Sequence, residues 1–378
     1  MENTEFLQKL SEIEQNFRKP EKEDINIFNI LFKGHEEVEL HSRFISYLLS
    51  SNSEFLKSFV RDILKIEENY FDLNNCEVFP TQKDKSEYKE IDILIINKIK
   101  KQAIIIENKL NAEDSNRIKI KKDGYDGQLE RYYNTIKTGI DKDGKKDIDF
   151  QCDNVFIYYL TLYKKPSDIS IGVLKDKDIL KILEYKTHIQ EWLTECLKKD
   201  GNEFLKTIIQ QYLNLVIGIS NNVELAVKLK ELISENIDTA WKCREKVLEL
   251  EDFKHVKWHT VADFWNELKT ELNLPVIKDI SVDEISEVTH KEKGNRKPLY
   301  IIVDIGNNNE LYIMSDSNKG LTYGYIKSEN KEENKDWFSV DENIIFSDFS
   351  NEKTFKLIND KNREDLIKEI STLCHNLA

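Results

Sequence analysis

The stretch from Glu90 to Lys109 reads Glu-Ile-Asp-Ile-Leu-Ile-Ile-Asn, then Lys-Ile-Lys-Lys-Gln, then Ala-Ile-Ile-Ile-Glu-Asn-Lys. Two isoleucine-rich runs flank a short basic connection, a pattern that predicts a β-hairpin. An acid, Asp92, opens the first run. The second run ends with Glu107, Asn108 and Lys109. The charged side chains of an otherwise apolar hairpin therefore meet at its open end.

The turn of this hairpin decides which residues face each other. If the turn is centred between Ile99 and Lys100, each residue pairs with the residue that lies equally far along the chain on the other side of that point. Asp92 then faces Glu107, with Cβ atoms about 5 Å apart. Glu107 and Lys109 are two residues apart, so their side chains leave the same face of the strand. A three-residue loop would instead shift the pairing by one residue and turn Asp92 to the other face.

The composition favours a folded protein of two domains, or three at most. Of 378 residues, 39% are hydrophobic and 33% are charged, enough for a real core beneath a highly charged surface. The formal net charge is −14, from 70 acidic and 56 basic residues. This acidity disfavours non-specific binding to nucleic acid, because the overall field repels phosphate. It does not exclude a local basic channel, or a metal ion that neutralises a carboxylate cluster.

Other features bear on compartment. The five cysteines are scattered and form no C-x-x-C pair, which disfavours a zinc site and a disulfide framework. The amino terminus lacks a basic region followed by an apolar one, so no secretory signal is predicted. No run of about 18 apolar residues occurs, so no membrane-spanning helix is predicted. These features together predict a cytoplasmic protein that does not bind membranes.

The order of predicted elements indicates a compact α/β core followed by helices and a smaller domain. Helices are predicted over 2–17, 36–49, 54–65, 125–137, 187–199, 203–219, 223–234, 236–250 and 260–272, and within 355–377; strands are predicted over 77–82, in the hairpin 91–109, and over 154–162, 297–305, 310–315 and 320–327. The segments 110–123 and 139–151 are predicted to be exposed loops. We therefore expect a first domain over 1–252, with its core at about 25–220, and a small α+β domain over 253–378.

The charged end of the hairpin suits a divalent cation. Two carboxylates this close repel each other unless a proton or a cation lies between them. Mg²⁺ and Mn²⁺ prefer oxygen ligands, and the backbone carbonyl of Asn108 could add one. Lys109 could orient or deprotonate an attacking water, or stabilise transition-state charge. Gln128 and Tyr132, four residues apart on one helix face, could hold the lysine, the water or a phosphate. The implied reaction is metal-assisted hydrolysis of a phosphodiester.

Each feature alone has a simpler structural explanation. A Glu-x-Lys triplet at a strand end is usually a solvated tip. Tyr132 on a helix face is more often core than catalytic, and a lone His41 is more often a buried helix histidine than a ligand. Glu39, in the first turns of its helix, is explained by the helix dipole alone. The joint order of these residues is what points to chemistry.

That order, Asp92, then Glu107-Asn108-Lys109, then Gln128-x-x-x-Tyr132, resembles the PD-(D/E)XK nuclease superfamily, and the Gln and Tyr resemble its RecB-like variant. Four further stretches, at 39–49, 106–110, 127–133 and 159–162, resemble one largely uncharacterised bacterial branch. The likeness covers roughly residues 25 to 220. Ile91 stands where the motif has its proline, which is often missing in the superfamily.

The resemblance implies a restriction-endonuclease-like αβββαβ core with a mixed central sheet, extra helices and Mg²⁺ or Mn²⁺ as the cofactor. Carried over to this sequence, the metal ligands are Glu39, Asp92, Glu107 and Asn108, and the catalytic residues are Asp92, Glu107, Lys109, Gln128 and Tyr132. In these roles Lys109 positions or activates water, while Gln128 and Tyr132 support the lysine and the substrate. His41 matches the branch pattern without a defined role.

The leading hypothesis is a metal-dependent nuclease that cleaves DNA in a restriction or phage-defence system, alone, as a homo-oligomer or with a defence-system partner. A nuclease directed at RNA would use the same chemistry. A catalytically inactive nucleic-acid-binding or regulatory module that kept the nuclease fold is the alternative from another class. The intact acidic pair and lysine argue against it, because an inactive site would not be expected to retain a cluster of charges that destabilises the fold.

Overall fold

The structure is a computed structural model of the 378-residue chain. It describes residues 1–17, 25–32, 36–81, 87–110, 125, 127–163, 165–177, 179–199, 201–290, 297–306, 309–326 and 336–375. The chain forms two compact units, Pro20–Asn221 and Met1–Lys19 with Asn222–Ala378. The domain boundary expected at residue 252 was based on a change in composition. Composition does not reveal that the amino-terminal helix and the residues from 222 onwards pack with the carboxy-terminal part.

The first unit contains the predicted mixed sheet, with five strands in the order β1-β2-β3-β4-β5. Their bounds are Glu77–Phe79, Ile93–Asn97, Gln102–Lys109, Asn154–Thr161 and Leu180–Glu184. Strand β2 is antiparallel to both β1 and β3, while β4 runs parallel to both β3 and β5. This mixed α/β arrangement is the fold class that the sequence predicted.

Isoleucine fills both faces of the β2–β3 hairpin. All of β2 is buried, and so is every residue of β3 after Gln102. Alternate side chains enter two separate cores: Ile95 and Ile104 pack into one, and Ile96 and Ile105 into the other. β-branched side chains pack well on a pleated surface that is covered on both sides. The hairpin is therefore the centre of this unit.

The hairpin has the predicted register. Ile93 pairs with Ile106, and Asn97 pairs with Gln102 at the turn. The side chain of Asn97 accepts a hydrogen bond from the backbone N–H of Lys100 at 2.9 Å. A polar turn of this kind fixes the alignment of the two strands.

Helical segments lie against both cores. In the first unit they are Ile27–Leu31, Glu37–Ser42, Arg43–Ser51, Ser53–Ser58, Phe59–Ile63, Gln128–Thr138, Ile148–Phe150, Asp168–Ile171, Gly172–Lys177, Tyr185–Ile189, Gln190–Lys199 and the first part of Glu203–Glu235. We call Gln128–Thr138 the site helix, because its first turn reaches the charged end of the hairpin. None of the helices in the described ranges combines the length and the apolar character needed to span a bilayer.

Two predictions for this unit differ from the structure, and a third is not tested by it. Leu180–Glu184, where the sequence predicted no strand, is an edge strand with only one buried side chain. The helices predicted over 203–219 and 223–234 form one helix, since the polar residues between them contain no helix-breaking proline. The loop predicted over 110–123 lies outside the described residues beyond Leu110.

The second unit has the predicted α+β character. Its antiparallel sheet has the order β10-β9-β8-β7-β6, and its strands from β6 to β10 are Val276–Lys278, Leu299–Asp304, Glu310–Asp316, Gly320–Ile326 and Asp336–Asp341. Its helices are Asn3–Asn16, the last part of Glu203–Glu235, Ile237–Lys242, Arg244–Leu248, Phe253–Leu272, Val282–His290, Glu352–Lys356 and Asp360–His375. Strands β6 and β10 and the helix Val282–His290 are absent from the sequence-based prediction, because these segments lack a clear apolar alternation.

Candidate active site

Asp92 and Glu107 lie together at the open end of the hairpin. Asp92 directly precedes, and Glu107 directly follows, the last ladder pair of the hairpin, Ile93 with Ile106, and both side chains leave the face that packs against the site helix. Asp92 is 6% exposed and Glu107 is fully buried. The backbone N–H of Asn108 donates a hydrogen bond to Oδ2 of Asp92 at 2.7 Å. The fold therefore buries two carboxyl groups side by side.

This burial has an electrostatic cost. Desolvation raises the pKa of Asp92 well above its usual range, and the neighbouring Glu107 raises it further. The charge of Lys109 and the N–H of Asn108 act in the opposite direction without cancelling the effect. A positive charge placed between the two buried carboxylates would stabilise them.

Lys109 supplies part of that positive charge. Its Nζ lies 2.9 Å from Oε1 of Glu107, and the two side chains are 8% and 1% exposed. Burial alone would lower the pKa of Lys109, but the charges of Glu107 and Asp92 outweigh burial and raise it. Lys109 is therefore an ammonium group in this arrangement. As an ammonium group it can stabilise negative charge and orient a water molecule.

Gln128 and Tyr132 reach the same cluster from the site helix. Nε2 of Gln128 donates to Oε1 of Glu107 at 2.8 Å and to the hydroxyl of Tyr132 at 3.0 Å. Burial, followed by the charge of Glu107, raises the pKa of the Tyr132 hydroxyl. From the sequence, Gln128 and Tyr132 were predicted to support the lysine and the substrate. In the structure, Gln128 contacts the carboxylate that pairs with the lysine.

The side chain of Asn108 points to the opposite face of the sheet. Its Oδ1 accepts a hydrogen bond from the hydroxyl of Tyr185 at 2.8 Å, and its Nδ2 donates to Oγ of Ser42 at 3.0 Å. His41 is buried on this side as well, with Nδ1 at 2.8 Å from the hydroxyl of Tyr212. His41 therefore belongs to the polar packing behind the site, apart from the carboxylate cluster.

The structure does not bring Glu39 to the site. Its carboxylate, 55% exposed, pairs with Arg43 one turn further along. The acid that reaches the end of β3 is Glu37, whose Oε1 accepts a hydrogen bond from the N–H of Leu110 at 2.7 Å. The segment Glu37–Ser42 is a wide π-helical turn, whereas the sequence predicted an α-helix from residue 36. The wider turn changes which side chains face the sheet.

Glu87 is a neighbour of the site that the sequence analysis did not find. It is half-buried, and burial is the main reason that its pKa is raised, while its interaction with the carboxyl group of Asp92 acts in the opposite direction. Glu87 and Asp92 flank a tight turn closed by a bridge between Tyr88 and Ile91. That turn contains neither Gly nor Asn, so its sequence carries no turn signal.

The donor set can be compared with what a metal ion needs. Among the described residues, no group of three or more His, Cys, Asp or Glu side chains is arranged to hold a metal ion. Mg²⁺ differs from zinc in this respect, since it is usually held by one or two carboxylates and keeps several waters. Asp92 and Glu107, with the main-chain carbonyl of Asn108, fit a Mg²⁺ or Mn²⁺ ion of this kind.

Comparison with known proteins identifies the same region. Residues 25–214 match the family model of the PD-(D/E)XK nuclease superfamily. The matched range includes the whole five-stranded sheet and every site residue described above, and it ends before the carboxy-terminal sheet begins. No curated protein and no solved structure matches the chain.

Proposed function

Because the chain belongs to the PD-(D/E)XK nuclease superfamily, we propose that it is a metal-dependent nuclease that hydrolyses phosphodiester bonds in DNA. One observation carries the proposal: the contact between Lys109 and Glu107, at 2.9 Å, beside a buried Asp92. Two buried carboxylates that repel each other are costly to keep. Their retention with a paired lysine supports a working site over an inactive module.

Asp92 and Glu107 would hold a Mg²⁺ or Mn²⁺ ion, with the carbonyl of Asn108 as a further oxygen ligand. When bound, the ion supplies Lewis-acid polarisation of the phosphate and acidifies a coordinated water. It would also relieve the repulsion between the two carboxylates. This fit depends on the two acids and not on Glu39.

The protein's own groups would do the positioning. The ammonium of Lys109 would donate a hydrogen bond to the attacking water and stabilise the negative charge that develops on the phosphate. Gln128 would hold the carboxylate of Glu107 in place, with the hydroxyl of Tyr132 behind it. The backbone N–H of Asn108 would fix the orientation of Asp92. The roles of Gln128 and of the N–H of Asn108 use hydrogen bonds that the structure contains.

The proposal extends to the substrate and the setting. A preference for DNA, a role in restriction or phage defence and a homo-oligomeric or defence-system partner belong to the proposal, whose support is the constellation of Glu39, Asp92, Glu107, Lys109, Gln128 and Tyr132 that resembles the nuclease superfamily. A cytoplasmic location follows from the composition. The carboxy-terminal part would then recognise the substrate, sense a signal or form a dimer.

A digestion panel tests the proposal. Purified protein would be incubated with plasmid, linear duplex DNA, single-stranded DNA and RNA, each with Mg²⁺, Mn²⁺ or EDTA. We expect cleavage of DNA with either metal and none with EDTA. Cleavage of RNA alone would move the assignment to an RNA-directed nuclease. Binding of nucleic acid without cleavage in any metal would favour the inactive module.

A matched pair of variants tests the acid on the first helix. We expect Glu37→Gln to lower the rate of metal-dependent cleavage by about 10–100-fold, since it removes a charge that acts on Lys109 at the end of β3. Glu39→Gln, two residues away on the same helix, should leave the rate unchanged because Glu39 pairs with Arg43 on the surface. Rates with Mn²⁺ on one DNA substrate decide the comparison. A larger loss for Glu39→Gln would restore Glu39 as the ligand.

A further inference from the structure

The turn before Asp92 has an unusual backbone. Lys89 and Glu90 are consecutive residues with positive φ, 55° and 69°. The N–H of Ile91 donates to the carbonyl of Tyr88 at 3.1 Å and closes the turn. Two consecutive left-handed residues make a type I′ turn, which normally takes Asn-Gly because Gly and Asn tolerate this region and most other residues disfavour it. Lys-Glu is a poor sequence for such a turn.

This turn determines where Asp92 lies. It reverses the chain so that Glu87 and Asp92, on either side of it, come together. Ile91, its last residue, is fully buried in the core beneath the site helix. If the turn opened, Asp92 would lose its fixed approach to the N–H of Asn108. The geometry of the proposed metal site therefore depends on a conformation that the turn residues themselves disfavour.

The loop over 139–151, which we call the clamp loop, holds the charged residues of the turn. Nζ of Lys89 donates to Oδ2 of Asp141 at 2.5 Å. Glu90 pairs with Lys142, the next residue of the same loop. Asp141 is only 6% exposed, so its ion pair is less screened than a pair on the surface.

The clamp loop also holds the aromatic residue of the turn. The ring of Tyr88 stacks on that of Phe150, with centroids 3.7 Å apart and planes within 8°. The hydroxyl of Tyr88 donates to Oδ2 of Asp147 at 3.1 Å. Each of the first three residues of the turn thus has a partner on the clamp loop.

The clamp loop is itself well anchored. Oδ1 of Asp141 accepts hydrogen bonds from the backbone N–H groups of Asp143 at 3.0 Å and Lys145 at 2.9 Å. At its base, the N–H of Gly139 donates to the carbonyl of Thr135, in the last turn of the site helix, at 2.9 Å. The site helix therefore holds Glu107 through its first residue, while the loop that follows the helix holds the turn before Asp92.

We propose that the clamp loop is a positioning device, which holds the turn from Tyr88 to Ile91 in its left-handed conformation and so places the carboxylate of Asp92. The consequence for metal binding and cleavage rests on the proposed function. The claim that the clamp loop holds the turn rests on the turn and its contacts alone. Lys89, Asp141 and Phe150 are accordingly positioning residues, which act through the turn.

Asp141→Asn tests the clamp directly. The amide oxygen can still accept the two hydrogen bonds within the loop, but the negative partner of Lys89 is gone. We expect the Ile91 amide to exchange with deuterium roughly tenfold faster, measured by mass spectrometry, because the turn opens more often. We expect the dissociation constant for Mn²⁺, from calorimetry, to rise by a similar factor. Lys89→Met should have the same effects, and the double variant should be no worse than either single one.

A matched control separates this effect from a general loss of charge. Lys198→Met also removes one positive charge, from an exposed ion pair with Glu195 within the helix Gln190–Lys199. It should change neither the exchange of Ile91 nor Mn²⁺ binding. Unchanged exchange at Ile91 in both Asp141→Asn and Lys89→Met would overturn the proposal.

A rescue variant distinguishes positioning from a merely structural role. Lys89→Asn with Glu90→Gly supplies a sequence that forms a type I′ turn without help. Introduced into Asp141→Asn, it should return Ile91 exchange and Mn²⁺ affinity to within about twofold of the wild type, a recovery expected only if the clamp acts through the turn. Failure of this rescue would contradict the proposal. If the wild type neither bound Mn²⁺ nor cleaved DNA, the nuclease assignment would fail, and the exchange data would still decide the clamp.

Discussion

Replacing Asp92 with Asn should raise the melting temperature of the metal-free protein. The carboxyl group of Asp92 is buried beside Glu107, and burial and the second acid both disfavour its charged form. Asn has the same shape, and its Oδ1 can still accept the hydrogen bond from the N–H of Asn108. We expect a gain of about 1 kcal/mol, as found when a costly functional group is removed. For a unit of this size that corresponds to about 2–4 °C.

The same variant should lose its response to metal. Mn²⁺ binding to the folded wild type should raise its melting temperature, since a ligand at 100 times its dissociation constant stabilises by about 2.7 kcal/mol. Asp92→Asn should show little or no such rise. Asp62→Asn serves as the control because Asp62 is 58% exposed and its ion-pair partner is Lys199, which is not a site residue. A lower melting temperature for Asp92→Asn than for the wild type in EDTA would contradict this account.

Lys109→Met should abolish most of the cleavage while leaving metal binding intact. The ammonium of Lys109 is the fixed positive charge beside Glu107 and Asp92, and the raised pKa keeps it charged. Loss of one preorganised group that stabilises transition-state charge costs about 10²–10³-fold in rate. Removing a cation from beside two carboxylates should not weaken their attraction for another cation. We therefore expect a low single-turnover rate and Mn²⁺ affinity at least equal to that of the wild type.

Lys198→Met is again the matched control, because it removes the same charge from an exposed helix pair. Its cleavage rate should equal that of the wild type. A Lys109→Met protein that cleaves at the wild-type rate would remove the lysine from the mechanism. A Lys109→Met protein that no longer binds Mn²⁺ would instead show that the lysine maintains the site's structure.

The sequence predicted the hairpin and its register for a specific physical reason. Isoleucine on both faces means that apolar packing alone does not select the register, because a shift by one residue exchanges one apolar set for another. The turn makes the selection, through the side chain of Asn97 and the basic residues that follow it. Once the turn is placed, Asp92, Glu107 and Lys109 must share a face.

The site residues whose positions were not predicted correctly from the sequence are placed by irregular backbone conformations. Glu39 was chosen by analogy with related nucleases, but the π-helical turn at Glu37–Ser42 brings Glu37 to β3 instead. Glu87 was missed because it approaches Asp92 only through a turn whose Lys-Glu sequence carries no turn signal. Such conformations are imposed by tertiary contacts and leave no local pattern in the chain.

The segment 139–151 illustrates the same limit. Its Gly, Lys and Asp residues predicted an exposed surface loop, yet Asp141 is nearly buried and binds Lys89. The strand Leu180–Glu184 was missed for a different reason. An edge strand that is exposed on most of its positions has no continuous apolar run, and its residues suit a helix equally well.

The most direct test of the central claim is Mn²⁺-dependent cleavage of one DNA substrate by the wild type and Asp92→Asn, purified in parallel so that any contaminating nuclease is common to both. The proposed site predicts that the wild type cleaves with Mn²⁺ and stops when EDTA is added. It also predicts that Asp92→Asn, folded and at least as stable, does not cleave. Equal cleavage by the two proteins would contradict the assignment of Asp92 and Glu107 as the metal site of a nuclease.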